Sequence, residues 1–286
     1  MEHHSNIVPW LMLKKEIGID VEFISITESG DLDEDSASRL LAKQPKLLSF
    51  THVSNALGTL NDVRHWVSEA KKVGALTLVD GAQAVSALPV NVSDLDVDFY
   101  VMSGHKVFGP TGIGLLYGRK SLLEKMPPYQ GGGSMIQEVT KEAVTFLPPP
   151  QKFEAGTCHI AGVIGLESAI EFIDSLDWQE IRNHEYQLTN FLVEELSNFE
   201  GLRFIGNPQE RINVVSFALD GSHPSDVGVL LDQQGVAVRT GHHCCQPLMA
   251  RFGIPGTVRV SVSLYNTLEE IKQLVTALRK AQELLQ

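Results

Sequence analysis

Cysteine is scarce in this chain. Three occur in 286 residues, Cys158, Cys244 and Cys245, and the last two are neighbours. An odd count with one adjacent pair is a poor disulfide framework, and a bridge between chain neighbours is strained. The scarcity excludes a disulfide-stapled secreted scaffold and fits a reducing, cytoplasmic compartment; a plastid stroma fits equally well. Long apolar runs are missing too, since no stretch of 18 apolar residues exists, and no membrane span is expected. Positive charge is the minority sign. Lys and Arg number 23 against 35 Asp and Glu, a net charge of −12, so neither a nucleic-acid backbone nor an anionic membrane surface is an expected partner. The opening MEHHSNIVPW has neither a basic nor an apolar leader region, so no secretory signal is read there.

What is present is an alternating pattern. VEFISI (21–26) alternates with period two and reads as a strand. DEDSASRLLAKQ (33–44) reads as a helix with acidic residues in its first turn. KLLSFTHVS (46–54) is a buried strand, and NDVRHWVSEAKKVG (61–74) is a helix with Asn61 as N-cap and Gly74 past its end. ALTLVDGA (75–82), DFYVMSGHK (98–106) and GIGLLYG (112–118) add strands. Strands alternating with helices imply an α/β fold with a mostly parallel sheet covered by helices. Residues 127–160 form a long Pro/Gly-rich connection, a functional loop or a disordered one. A helix over 178–199, strands at 212–219, 236–240 and 257–264, and a closing amphipathic helix at 267–285 follow. The expected division is a large domain over 1–172 and a smaller α+β domain over 173–286.

Ligands of open α/β sheets sit beyond the carboxyl ends of the strands. Asn55, Asp80 and the group Ser103, His105 and Lys106 fall at such ends. An acid there is often only a helix cap, but a lysine is rarely buried without a partner. A lysine and an acid are what pyridoxal phosphate needs: an amine for a Schiff base and a carboxylate facing the ring nitrogen. Later in the chain, GHHCCQPLM (241–249) packs two imidazoles beside two thiols. Structural zinc takes ligand pairs two to four residues apart, and four adjacent side chains cannot close one tetrahedron, so no metal site is expected. GPTGIG (109–114) runs into a strand without the Lys-Ser/Thr of a phosphate loop, which argues against a nucleotide site.

These motifs together resemble a cysteine desulfurase of the SufS/NifS-like group, in the class-V aminotransferase family of fold-type-I pyridoxal phosphate enzymes. The resemblance rests on EHHSNIVPW, VSNALGT, VDGAQA, SGHKVFGPTGIG, PPYQGGG, FEAGT, RTGHHC and RVSVSLYNT, which run in the expected order from residue 2 to residue 267. It implies that Lys106 carries the cofactor and moves protons, and that Asp80 pairs with its ring nitrogen. It implies that His3 stacks on the ring and Gln83 bonds its phenolic oxygen. Ser103 and His105 would hold the phosphate, and Thr157 the phosphate of the other subunit of a homodimer. Asn55 and Arg259 would bind the substrate carboxylate, a task that suits the planar fork of Arg. Cys244 would be the nucleophile that takes sulfur from L-cysteine as a persulfide, leaving L-alanine. A SufE-like or scaffold protein would then receive the sulfur for iron–sulfur cluster assembly.

The resemblance also has a departure. In the family, the motif that opens this chain lies mid-domain, after a long N-terminal stretch that adds strands and anchors the phosphate. The chain is therefore expected to be a truncated form. Two further readings stay open: a selenocysteine lyase, and a catalytically silent homologue that serves as a binding or dimerisation module. Cys244 as a merely buried thiol also stays open, and Cys245 reads as a packing residue.

Overall fold

The computed structural model describes residues 1–285. The first helix, α1 (Val8–Ile17), has Pro9 in its first turn and ends at Gly18 in the left-handed conformation. Helix α2 (Glu34–Leu41) starts where the Asp33 carboxylate accepts from Ser36 N, at 2.6 Å. Strand β1 (Leu47–Thr51), helix α3 (Val63–Lys72) and strand β2 (Leu76–Asp80) form a parallel crossover. Helix α3 buries Val63, Trp66, Val67 and Ala70, the spacing of one helical face. Its N-cap is Asp62, one residue later than expected. The Asn61 side chain instead donates to Thr51 O at 2.7 Å, which ties the helix start to the end of β1.

The short helix α4 (Val92–Leu95) leads to β3 (Phe99–Ser103), parallel to β2, and then to β4 (Gly114–Gly118), antiparallel to β3. The sheet order is β1-β2-β3-β4, with Thr51 beside Asp80 and Asp80 beside Val101. The stretch 21–26 departs from the strand expected there. Only Ile26 makes a bridge, to Leu32. Residues 19–26 lie across a cavity of about 830 Å³ from the free edge of β1, so no neighbouring backbone completes a ladder.

After α5 (Lys120–Leu123), the Pro/Gly-rich connection holds an unanticipated hairpin, β5 (Ile136–Val139) with β6 (Val144–Phe146). Helices α6 (Ile160–Asp174) and α7 (Trp178–Ser197) lead into a second sheet. Its strands are β7 (Leu202–Phe204), β8 (Val214–Leu219), β9 (Arg239–Gly241) and β10 (Thr257–Ser261), with α8 (Pro224–Asp232), α9 (Gln246–Phe252) and α10 (Leu268–Leu285) between and after them. The order is β7-β8-β10-β9, antiparallel throughout. Leu188, Leu192, Leu196, Phe217, Val258, Leu274 and Leu278 form its core against α7 and α10. A smaller cluster joins the two sequence halves: Ile26, Ala56 and Leu57 pack with Ile205, Cys245, Leu248 and Met249.

Candidate active site

Two backbone features of the first sheet fix the Asp80 and Lys106 side chains. Asp80 ends β2, nearly buried, and its carboxylate accepts from Ala82 N at 2.9 Å. Gly81 follows because nothing larger fits: a Cβ there would stand 2.0 Å from the Tyr100 ring. Behind it, the Tyr100 hydroxyl and His52 Nδ1 lie 2.9 Å apart. Burial pushes His52 down to about 4, so this imidazole is neutral. Lys106 closes the single turn after β3. It is half-buried and, among the described residues, has no hydrogen bond or ion pair. Burial lowers its pKa, the Arg259 and Arg239 charges lower it further, and Asp80 opposes them. His3 feels the same group: burial and then Lys106 lower its pKa, and Asp80 raises it.

The second sheet supplies positive charge and the thiol. Arg239 and Arg259 sit directly opposite each other across β9 and β10. Like charges in that relation repel, so the pair calls for an anion. Arg259 donates to Asn55 O at 2.8 Å, and its Nε is buried without a partner. The Cys244 loop leaves β9 through Gly241, at φ 104°, and Gly256 lies against it, where a Cβ would stand 2.8 Å from the Gly241 backbone. His243 and Cys244 follow, both left-handed, at φ 53° and 57°. Consecutive left-handed residues with side chains are costly and persist only where contacts over-determine them.

Those contacts are present. His4 N donates to Cys244 O at 2.7 Å, and Gln246 N donates to His4 Nε2 at 3.1 Å. Asn55 Nδ2 donates to His243 O at 2.8 Å, and the His243 ring meets Thr257 Oγ1 at 2.7 Å. Cys244 is half-buried, whereas Cys245 is fully buried. Burial pushes His243 down to about 4, so it is neutral and supplies no charge to the neighbouring thiol. His4 and Thr257 are the residues sequence reasoning missed. His4 stood in the quoted EHHSN motif, but nothing there showed which backbone it would grip.

The structure thus gathers His3, Asp80, Lys106, Arg259 and the Cys244 loop, with Asn55 between the last two. Gln83 and Ser103 are half-buried beside Asp80 and Lys106 in the chain, and His105 is exposed. Thr157 is exposed in the connection before α6 and makes no side-chain hydrogen bond among the described residues.

The donor set fits pyridoxal phosphate: a nearly buried carboxylate, a partnerless amine of lowered pKa, and an orphaned guanidinium nitrogen. Fold and site define a pyridoxal phosphate enzyme of fold type I. The chain belongs to the class-V aminotransferase family, whose pattern it matches over residues 1–274. It is similar to the cysteine desulfurases of Serratia proteamaculans and Pectobacterium atrosepticum, at 47% and 44% identity over 286 residues, covering all of this chain and 70% of each relative. Among solved structures, the cysteine desulfurase CsdA of Escherichia coli superposes with a TM-score of 0.93 at 38% identity, covering 99% of this chain and 70% of that one. The apo cysteine desulfurase of Thermococcus onnurineus gives 0.92 at 40%, with the same coverage.

Proposed function

We propose that this chain is a pyridoxal phosphate-dependent cysteine desulfurase that yields L-alanine and a persulfide on Cys244. One observation carries the reading. The dipeptide His3–His4 has one ring under the charges of Lys106 and Asp80, and its other residue bonded to the Cys244 loop. This supports one site shared by the cofactor pair and the thiol. The class-V relatives named as cysteine desulfurases support the same assignment.

When bound, the cofactor supplies an electron sink for the substrate's Cα. Lys106 would hold it, Asp80 would keep its ring nitrogen protonated, and His3 would cover the ring. Gln83 would bond the phenolic oxygen, while Ser103 and His105 would bind the phosphate. The lowered pKa of Lys106 enlarges its neutral fraction, the form that takes a proton from Cα and returns one later. Arg259 would pair with the substrate carboxylate, with Asn55 beside it. The Cys244 thiolate attacks the substrate sulfur. An S–S bond forms as the Cβ–S bond breaks, the electron pair stays with the substrate carbon, and a proton completes the alanine methyl.

In the larger assembly, Thr157 would reach the phosphate of a second copy in a homodimer. A SufE-like or scaffold protein would take the persulfide sulfur for iron–sulfur clusters, in the cytoplasm. The division into a cofactor-binding part, 1–172, and a part carrying the thiol loop, 173–286, belongs to the same reading. The test is purified chain with pyridoxal phosphate and L-cysteine, followed for alanine and for sulfide released by reductant. Equal amounts of the two support the reading, and pyruvate or a keto acid in place of alanine overturns it.

A further inference from the structure

The loop that presents Cys244 is held by a side chain 188 positions away in sequence. Asn55 is buried, and its carboxamide is used at both ends. Nδ2 donates to His243 O, 2.8 Å away. Oδ1 is the nearest acceptor of the Cys245 thiol, at 3.2 Å, ahead of His243 O at 3.5 Å and Met1 O at 3.9 Å. Burial pushes Cys245 up to about 11, against the chain's N-terminal ammonium and the Asn55 contact, which lower it, so it stays a thiol and keeps the hydrogen it donates. An amide can turn over, exchanging donor and acceptor ends; the His243 carbonyl, which only accepts, takes the Nδ2 end, and the Cys245 S–H donating to Oδ1 braces the amide in that orientation. With Oδ1 so engaged, Nδ2 faces the carbonyl of the first left-handed residue. Cys245 is also packed among Ala56, Leu248 and Met249, which holds its sulfur in place.

We propose that Cys245 is a positioning residue for Cys244: through Asn55 it pins the His243 carbonyl and keeps the nucleophile's loop in its left-handed turn. The adjacent thiol is neither a second nucleophile nor filler. It acts through the Asn55 carboxamide, and the main-chain oxygen of the same residue accepts from Arg259. The thiol loop and the arginine opposite Arg239 thus share one fastening point.

The test uses the full chain loaded with pyridoxal phosphate, in the parent form and as Cys245→Ala, Cys245→Ser, Asn55→Asp and Cys245→Ala/Asn55→Asp. The first readout is the rate at which iodoacetamide labels Cys244, resolved from Cys158 by peptide mass. Cys245→Ala raises that rate about fivefold, the weight of one net hydrogen bond. Cys245→Ser, which keeps a donor, stays within about twofold of the parent. Asn55→Asp raises the rate at least as much as Cys245→Ala, and the double variant adds nothing further, because both act on one contact. The second readout is desulfuration, in which Cys245→Ala lowers kcat and leaves KM for L-cysteine within about twofold. Parent-like labelling of Cys245→Ala, failure of serine to restore it, or additive labelling rates in the double variant overturns the proposal. The kinetic arm rests on the desulfurase reading; labelling does not, so inactivity of every form would sink that reading and leave the loop contact still decided.

Discussion

The two sheets contribute to one site in opposite ways. The first, mixed sheet places Asp80 at a strand end and Lys106 in the single turn just beyond one, where the backbone leaves the sheet. The antiparallel sheet places Arg239 against Arg259 and follows them with two left-handed residues. The first contribution is geometric and inexpensive; the second stores repulsion and strain that contacts from residues 4, 55 and 257 must hold. On the function proposed above, cofactor chemistry needs fixed groups, whereas a thiol that takes sulfur from a substrate and hands it on needs a loop held by a few releasable contacts.

The sharpest way to break this comparison is to remove one reactive group from each side. Lys106→Ala should cost both functions at once: cofactor absorption is lost, and desulfuration falls at least about a thousandfold. Cys244→Ala should cost nearly as much desulfuration but leave the cofactor absorption intact, read by visible spectroscopy of the same samples. If the two variants behave alike in both readouts, the division of labour is wrong. Arg259→Ala should act next most strongly, raising KM for L-cysteine about 30-fold, the weight of a charge-assisted hydrogen bond. Arg259→Lys should recover little of it, because an ammonium lacks the planar fork.

Smaller effects test the backbone on each side. Gly81→Ala drives a methyl into the Tyr100 ring, and Gly256→Ala drives one into the Gly241 backbone. Each should destabilise the fold by about 2 kcal/mol in urea titration. Only the second should also change Cys244 labelling. A separate effect, spread over the acid range, is a dependence on pH. Each side buries one neutral imidazole, His52 and His243, both held down to about 4. Their unfolded forms take up protons near their ordinary pKa, so the native state loses stability as pH falls from about 6.5 to about 4. Glu185 works the other way. Burial raises it to about 7, and its contribution is full below about 4.5 and lost as pH rises through 7. His243→Asn should flatten the acid-side slope of the urea midpoint, and His52→Gln should do the same by its own share.

Much of the first side was legible in the sequence. Asp80 and Lys106 stand out because polar groups that end apolar runs mark strand ends, and strand ends mark ligand sites. The helices read well because α3, α7 and α10 repeat one apolar face. The antiparallel sense of β4 and the unpaired stretch 21–25 did not show, since strand direction and pairing depend on which neighbour a strand finds. The second side was legible only as a motif. Its left-handed turn, the neutral His243 and the grip of Asn55 arise from contacts between residues far apart in sequence, and local pattern carries no trace of them. Asn55 was expected at the substrate carboxylate. The structure shows its amide donating to the His243 carbonyl and its backbone oxygen accepting from Arg259, contacts that no local pattern announces.

The facing arginines have a thermodynamic consequence. Without an anion, they push β9 and β10 apart; with one, the same charges draw the two strands together. Whatever carboxylate binds there acts as a fastener for the fold, and its affinity and the protein's resistance to unfolding become one free energy read by two instruments.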